Sequence, residues 1–308
     1  MGIHDELTNL ERGMILLCCD LGDPEAAPLT TAQFRELSGR VLAAGACLEP
    51  GRHLKEQDLL DLDYDRDFAA RVVTLLDRQP LLGRFLTGCK MRKIQIVTRI
   101  SDAYPRRLSL LRQYAPPVVL MAGDASLMAA DTIGLTGSRD LSDAGALFAR
   151  RVGRLTASED KVLVTGGAVG ADHAALLACL QQGGRAIIFP ALPLTEMYQQ
   201  YRLYLESGQI LLCAEGSADA PFSAARAASR NRLIYRSADR AFVAQAAYRT
   251  GGTWSGATEN LRRGWTSLYA NRNGGEGCLA LAKKGAVLVD ADYLQNYICR
   301  QVIWEEEP

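Results

Sequence analysis

The stretch KVLVTGGAVGADHAALLACLQQ, residues 161–182, decides the fold. It begins with a short apolar run, passes through a loop that holds three glycines, and continues into a segment rich in alanine and leucine. A buried strand, a tight turn and a helix in this order form one repeat of a parallel sheet that helices cover. The same alternation extends from this unit in both directions along the chain.

Short apolar runs of this kind recur between residue 93 and residue 290, separated by turn residues and amphipathic segments. The candidate strands are KIQIVT, PPVVLM, TIGLTG, KVLVTGG, RAIIFP, QILLCAE, RAFVAQAA, TSLYAN and AVLVD. Strands that alternate with helices are typical of a doubly wound α/β domain. We therefore predict an extended Rossmann-like, doubly wound, mostly parallel sheet over residues 91–308.

The first part of the chain has a helical pattern, with apolar residues three and four positions apart. One such segment is TTAQFRELSGRVLAAG, with Thr31 as its cap, and another is RDFAARVVTLLDRQPLLGRFLTG, which Pro80 interrupts. No strand-like alternation lies between them. This pattern predicts a small helical domain over residues 1–90.

The balance of charges and the pattern of cysteines limit the kinds of ligand and the cell compartment that the sequence predicts. The 308 residues contain 35 Lys and Arg and 35 Asp and Glu, so any attraction to a polyanion must come from a local patch. The eight cysteines are scattered without a CxxC pair, which predicts reduced thiols and no zinc site. Because the N-terminal segment matches neither a signal peptide nor a membrane span, we expect a cytoplasmic protein without membrane contact.

Four loops follow candidate strands at the edge of the sheet where ligands bind in such folds. In TGSRD, residues 136–140, Gly137 lets the backbone approach a ligand, Ser138 offers a hydroxyl, and Arg139 stands where a phosphate would lie. Ser142 is the predicted cap of the helix that follows. The alternative is an ordinary turn with a solvated arginine.

In TGGAVGAD, residues 165–172, Gly166, Gly167 and Gly170 precede a helix and would cradle a phosphate. The spacing is neither GxGxxG nor that of a P-loop, so no dinucleotide or nucleoside triphosphate cofactor is predicted. Asp172 is expected to cap the helix by accepting from its first N–H groups.

The segment ASRNRLIYRSADRAFVAQAA, residues 227–246, combines arginines with a dry strand. A helix over residues 224–238 would point Asn231 toward the sheet, with Arg230 on one flank and Arg232 on the other. Since an unpaired buried amide is costly, Asn231 is expected to tie a neighbouring loop in place. The alternative is that the arginines extend over the helix edge into solvent.

In YRTGGTWSGATEN, residues 248–260, Thr250, Gly251 and Gly252 form a polar, glycine-bearing loop before another helix. Trp254 is either a packing anchor or a surface on which a base stacks. The carboxyl ends of parallel strands share one rim, so these four loops predict a single ligand site.

The order of these motifs resembles the DprA (Smf) family of DNA-processing proteins. The motifs are TGSRD, TGGAVGAD, ILLCAE with Glu215, SRNRLI after Phe222, TGG and LALAKKGAVLV. Upstream, KIQIVTRISDAYPRRLSLLRQYAPPVVLMAGD is similar to the segment that precedes the Rossmann domain of that family. The resemblance covers roughly residues 60–290.

The resemblance implies that the protein binds single-stranded DNA without strong sequence preference, forms a homodimer, and hands DNA to a RecA-type recombinase in natural transformation. It implies no cofactor, no metal and no chemistry on the DNA. Bases would lie near Tyr198, Tyr201 or Trp254. Together, motifs and loops place these residues at the DNA interface: Gly137, Ser138, Arg139, Gly166, Gly167, Gly170, Arg230, Asn231, Arg232, Thr250, Gly251 and Gly252.

The sequence also departs from the family pattern. Val169 replaces an arginine of the second loop, Leu176 replaces a histidine one turn later, and Gln245 replaces an acidic residue at a strand end. The YPxxN-like stretch reads MYQQYRL, and no winged-helix segment follows Glu306. The change at Val169 removes one expected phosphate partner. Together, the changes make recombinase loading less certain to be retained than the fold.

A second hypothesis comes from another class of protein. The sequence TGGTWSGATE is similar to the PGGxGTxxE signature of LOG-like nucleotide phosphoribohydrolases, with the spacing stretched by one residue and the proline absent. Glu259 at a helix N-terminus would act as a base, or would only favour the helix dipole. A nucleotide sensor that uses the same rim, and a scaffold for another protein, stay open as further alternatives.

Overall fold

The structure, a computed structural model, describes residues 7–23, 26–45, 54–219 and 222–299. Contacts divide the chain into two compact units. The first unit comprises Met1–Ala122, Pro193–Thr195 and Cys213–Ala220, and the second comprises Gly123–Leu192, Glu196–Leu212 and Pro221–Pro308. The division into two domains near residue 90 stays a prediction.

The first unit contains helices and one antiparallel strand pair among its described residues. Its elements are α1 (Asn9–Cys18), α2 (Thr31–Ala43), α3 (Glu56–Leu60), α4 (Arg66–Leu76), α5 (Gln79–Met91), β1 (Ile94–Thr98), α6 (Arg106–Ser109) and β2 (Val118–Gly123). Ile94 to Thr98 pair with Ala122 to Val118. Helices therefore precede the first strand, as the apolar spacing predicts.

One detail of these helices differs from the sequence-based expectation, and another agrees with it. The cap of α2 is Thr30 and not Thr31, because Thr30 Oγ1 accepts from the N–H of Gln33 at 3.3 Å and Gln33 Oε1 accepts from the N–H of Thr30 at 3.1 Å. The second helical segment is interrupted next to Pro80, as predicted: α4 ends at Leu76, and Pro80 lies in the first turn of α5. Proline is tolerated there because the first N–H groups of a helix have no intrahelical partner.

The second unit alternates strands and helices, and two of its elements, α9 (Leu194–Gln200) and β6 (Ile210–Glu215), have one end in the first unit. Its elements are β3 (Thr132–Thr136), α7 (Asp143–Ser158), β4 (Val162–Thr165), α8 (Ala171–Leu180), β5 (Arg185–Ile188), α9 (Leu194–Gln200), α10 (Arg202–Glu206), β6 (Ile210–Glu215), α11 (Ala224–Ser237), β7 (Arg240–Val243), α12 (Gly251–Arg263), β8 (Ser267–Asn271), α13 (Gly275–Ala282), β9 (Val287–Val289) and α14 (Gln295–Ile298). Each of the nine apolar runs forms a strand, so the predicted fold class is confirmed.

The strands of the second unit lie in the order β6-β5-β4-β3-β7-β8-β9, and neighbours run parallel. The chain moves from β3 outward to β6, then returns to pair β7 with the other edge of β3. This reversal leaves a crevice beyond the carboxyl ends of β3 and β7, which is where ligands bind in open α/β sheets. Because such crossovers are right-handed, α7 and α8 cover one face, and α11 to α13 cover the other.

The core of the second unit is dry. The strand residues of β3, β4 and β5 are buried except Arg185, and Phe148 and Phe242 are among the largest fully buried side chains. Continuous burial explains why these strands appear in the sequence as apolar runs without alternation. Polar groups are therefore concentrated where the strands end.

Neither a membrane-crossing helix nor a disulfide bond occurs among the described residues. Within residues 7–23, 26–45, 54–219 and 222–299, no helix combines the length and apolar character that a membrane crossing requires. Seven cysteines in these ranges are unpaired, and five of them are buried. Cys47 lies outside the described residues. Burial raises the pKa of the Cys89 and Cys278 thiols to about 11, so these groups are protonated at neutral pH.

Candidate functional site

A cavity of about 410 Å³ occupies the crevice between β3 and β7. Its walls are the loop after β3, the start of α8, one side of α11, and the loop that leads into α12. Of the residues predicted at the interface, those that line it are Gly137, Ser138, Arg139, Arg230, Asn231, Thr250, Gly251 and Gly252. The other four, Gly166, Gly167, Gly170 and Arg232, lie outside the lining.

The loop after β3 is held close to the end of β7 and to α8. The N–H of Ser138 donates to the carbonyl of Gln245 at 2.9 Å, and the N–H of Ala171 donates to the carbonyl of Ser138 at 3.2 Å. A side chain at Gly137 would overlap Ala171. This tight placement leaves the Arg139 side chain exposed above the cavity.

Gln245 organises this loop, a role that the sequence did not reveal. Its Oε1 accepts from the N–H and the hydroxyl of Ser142 at 2.9 and 2.8 Å, and its Nε2 donates to the carbonyl of Asp140 at 3.1 Å. Ser142 caps α7 as predicted, accepting from the N–H of Gly145 at 3.2 Å. An ionised acid at position 245 would accept but not donate, so an amide suits both partners.

The glycines of the second loop position backbone and do not line the cavity. Gly167 and Gly170 have φ values of 65° and 96°, and a side chain at Gly170 would overlap the carbonyl oxygens of Ser138 and Arg139. A side chain at Gly166 would overlap the guanidinium of Arg230. These glycines therefore permit close packing of the loop against its neighbours.

The prediction that Asp172 caps α8 is wrong. Gly170 is the N-cap, and the Asp172 carboxylate turns back to accept from the N–H of Gly166 at 3.2 Å. It also pairs with Arg230, whose Nη1 lies 3.5 Å from Asp172 Oδ2. Their side chains are 5% and 11% exposed, so this is a nearly dry ion pair at the base of the cavity.

Burial raises the pKa of the Asp172 carboxyl above its ordinary value. The positive charge of Arg230, together with N–H groups of the preceding loop, offsets part of this increase. Arg230 Nε is buried and has no hydrogen-bond partner among the described residues. This Nε is shielded from solvent, so a ligand in the cavity can meet only the part of the Arg230 side chain that stays exposed.

Helix α11 forms as predicted, but Asn231 faces α12 and not the sheet. Its Nδ2 donates to the carbonyl of Gly252 at 3.1 Å, so the amide does tie the neighbouring loop in place. Arg232 Nε pairs with Glu259 Oε2 at 3.1 Å. Glu259 lies in the third turn of α12, not at its N-terminus, and neither residue of this pair lines the cavity.

None of the three aromatic residues considered as base contacts lines the cavity, and Trp254 takes the alternative role of a packing anchor. Tyr201 is 3% exposed and offers no ring face to a ligand, while Trp254 packs against the core beneath α12. Tyr198 is half-buried. Phe222, an exposed aromatic before α11, lines the cavity with the Arg139 guanidinium 5.1 Å above its ring. An isolated aromatic next to an arginine-rich helix was the available sequence signal for it.

Val169 and Leu176, at which the sequence departs from the family pattern, differ in burial. Val169 is 76% exposed and takes no part in the core, whereas Leu176 is fully buried in α8. No group of three or more metal-ligating side chains occurs in the described part of the chain. The side chain of Thr250, the N-cap of α12, makes no capping hydrogen bond to that helix, and the first residues of α12 line the cavity.

Comparison with known proteins assigns the family. Residues 95–298 match the profile of the family described as DNA recombination-mediator protein A. The chain is 29% identical over 249 residues to DNA processing protein DprA of Streptococcus pneumoniae, covering 79% of this chain and 87% of the relative.

Two solved structures share the fold. The X-ray structure of DprA from Streptococcus pneumoniae has a TM-score of 0.69 and 23% identity, covering 94% of this chain and 98% of that one. DNA processing protein A from Helicobacter pylori, described for its single-stranded DNA binding mode, has a TM-score of 0.56 and 22% identity, covering 67% and 94%. By profile, sequence and fold together, this chain belongs to the DNA recombination-mediator protein A family, the DprA family of DNA-processing proteins.

Proposed function

We propose that the protein binds single-stranded DNA in the crevice between β3 and β7. The observation that supports this most is the convergence of Arg139, Arg230 and the uncapped start of α12 on one cavity. Each supplies N–H donors or positive charge for phosphate oxygens. The Phe222 ring beneath Arg139 adds an aromatic surface for a base.

The dimensions of the crevice favour a flexible strand over a duplex. A volume of about 410 Å³ is that of a small-molecule site, which admits a nucleotide but not a stacked base pair with both backbones. In a single strand the base faces and edges are free to enter. The related protein from Helicobacter pylori is described as binding single-stranded DNA, which supports the same ligand here.

Within this proposal the predicted residues have different roles. Arg139 contacts phosphate and, with Phe222, a base, while Arg230 lies deeper and is oriented by Asp172. Gly166, Gly167 and Gly170 shape the second loop, and Asn231 holds the α12 loop through Gly252. Arg232 pairs with Glu259 outside the cavity lining and is not assigned a ligand contact.

A binding role without chemistry fits this arrangement better than the phosphoribohydrolase alternative. Glu259 is paired with Arg232 and lies outside the cavity, so it has no access to a nucleotide bound there. Incubating the protein with nucleoside monophosphates tests this point. Release of free base that Glu259→Gln abolishes would restore the enzyme hypothesis.

We also propose that the protein acts as a cytoplasmic homodimer that delivers single-stranded DNA to a RecA-type recombinase. Support comes from the family, whose description is that of a recombination mediator. Light scattering tests the dimer. Recombinase assembly on DNA precoated with single-strand-binding protein, with and without this protein, tests delivery, and an unchanged assembly rate would argue against it.

Binding of fluorescent oligo-dT and of a matched duplex tests the main proposal. We expect preference for the single strand, and a loss of about 10- to 150-fold in Arg139→Ala, the range for a charge-assisted hydrogen bond. Arg262→Ala, an exposed arginine in the last turn of α12, is the matched control and should bind like the parent. Equal affinity for duplex, or full affinity in Arg139→Ala, would contradict the proposal.

A further inference from the structure

A second arginine and aromatic pair lies at the rim of the crevice, on the loop between β7 and α12. Arg249 Cζ is 5.0 Å from the centroid of the Tyr248 ring. Residues on both sides of this pair, Ala247 and Thr250, line the cavity, whereas Tyr248 and Arg249 do not. The pair therefore stands just outside the cavity, on the loop that forms one of its walls.

The pair rests on a fixed support. The Trp254 ring meets the Tyr248 ring at 79° with 5.3 Å between centroids. Trp254 itself packs against the buried cluster that includes Tyr235, Val243 and Ala257. Tyr248 is 39% exposed and Arg249 is exposed, so the outer faces of the stack are open to solvent while its base is anchored.

The backbone of Arg249 has an unusual conformation, which directs the side chain to this position. Its φ of 56° is in the left-handed region, which residues with a Cβ seldom adopt. Such conformations are concentrated at sites where a local geometry serves binding. In the ranges that the structure describes, no carboxylate pairs with Arg249, so its charge is not neutralised within the fold.

The geometry repeats that of Arg139 over Phe222, which line the cavity and where the separation is 5.1 Å. A guanidinium plane over an aromatic ring presents a flat cationic surface, and unpaired nucleobases stack on such surfaces with little sequence preference. Two of these surfaces thus flank the cavity at the switch point of the sheet.

We infer that Tyr248 and Arg249 form a stacking subsite for an unpaired nucleobase next to the nucleotide held in the crevice. This inference rests on the proposed function, since the strand must first enter the crevice. The ligand is the base of a single strand, because in a duplex both faces of each base are already occupied. The subsite adds contact area without sequence readout.

Substitutions at the pair separate stacking from charge. Tyr248→Ala should weaken binding of oligo-dT by about 5- to 150-fold, the range for one stacked base, while Tyr248→Phe keeps the ring and should bind like the parent. Arg249→Lys keeps the charge but not the planar group, and should lose part of the affinity. Tyr293→Ala, an exposed tyrosine in the segment before α14, is the matched control and should have no effect.

A strand of the same length that lacks bases gives the sharper comparison. Stacking cannot contribute to its binding, so the parent and Tyr248→Ala should bind it equally. With 2-aminopurine placed at successive positions of the oligonucleotide, one position beside the crevice nucleotide should be quenched in the parent and not in Tyr248→Ala. A structural role for Tyr248 alone would not produce a signal confined to one position.

The outcomes distinguish this inference from the proposed function. If Arg139→Ala weakens binding while Tyr248→Ala does not, the stacking subsite is wrong and the crevice proposal stands. The same conclusion follows if Tyr248→Ala loses as much affinity for the base-free strand as for oligo-dT. A parent that binds no single-stranded DNA, or an Arg139→Ala variant with full affinity, overturns the crevice proposal. Failure of the parent to bind overturns the subsite as well.

Discussion

At the scale of single residues, Gly166 controls the position of Arg230. A methyl group at this site would overlap the guanidinium, which must then leave Asp172. We expect Gly166→Ala to fold, because a flexible side chain can move. It should lose about 1–3 kcal/mol of unfolding free energy, the cost of unsatisfied buried polar groups, and bind oligo-dT more weakly. Urea unfolding and fluorescence anisotropy measure the two effects.

Gly83→Ala is the matched control for that substitution. Gly83 lies in α5 with open space around its missing Cβ. Alanine there should stabilise the helix by up to about 1 kcal/mol and leave DNA affinity unchanged. If both glycine variants behaved alike, the contact between Gly166 and Arg230 would not be the cause.

The buried carboxyl of Asp172 gives a second prediction at this scale. Because burial raises its pKa above the ordinary value of 3.8, the folded protein holds this proton at a pH where the unfolded chain has lost it. The contribution of Asp172 to stability is therefore full below 3.8 and falls as pH rises through the raised pKa.

Asp172→Asn isolates this contribution. The difference in unfolding free energy, parent minus variant, should decrease as pH rises from 3.8 and become constant once the carboxyl is ionised. Urea titrations at a series of pH values measure this difference. A difference that is constant above pH 3.8 and decreases only as pH falls below that value would mean that pairing with Arg230 outweighs burial, and that the pKa is lowered.

At the scale of elements, the contact between α11 and α12 sets one wall of the crevice. Asn231 is the link, since its amide donates to Gly252 in the first turn of α12. Asn231→Asp keeps the shape but removes the donor and places a carboxylate beside a carbonyl. We expect a loss of about 1–3 kcal/mol of unfolding free energy and faster amide exchange in residues 251–253.

Hydrogen exchange resolved by residue measures this effect, and it should be confined to the start of α12. Asn231→Ala removes the same bond without adding charge, so its effect should be smaller. Uniformly faster exchange along α12 would indicate a general loss of packing and not the loss of one link.

The same two helices show what the sequence could predict at this scale. The bounds of α11 follow from its composition and from Ser223, which accepts from the N–H of Arg226 at 3.1 Å as its cap. A helical wheel places Asn231 on one face but does not identify the element opposite that face. Its partner is α12 because β7 and β8 are adjacent parallel strands, and this adjacency is a long-range property that local periodicity does not contain.

At the scale of the whole molecule, the fold was the most predictable feature and the site the least. Apolar runs locate all nine strands, and the rim at their carboxyl ends follows from parallel topology. Which loops meet there depends on strand order, so Gly137 and Thr250 come together across the β3 and β7 pair. Gln245 and Phe222 escaped prediction because their roles come from neighbours far away in sequence.

The protein has no net charge but a cationic crevice, and this combination predicts how DNA affinity depends on salt concentration. The chain has 35 cations and 35 anions, so it exerts no net attraction on a polyanion, and affinity must come from the phosphates that the crevice neutralises. For three to four phosphates, the slope of log K against log salt should be about −2 to −3, at −0.7 per phosphate of a single strand. Arg139→Ala should reduce the magnitude of the slope by about 0.7, whereas Tyr248→Phe should leave it unchanged. Anisotropy titrations with oligo-dT over a salt series provide both slopes. A parent slope near zero, or one that Arg139→Ala does not change, would mean that phosphates are not held where Arg139 and the start of α12 meet.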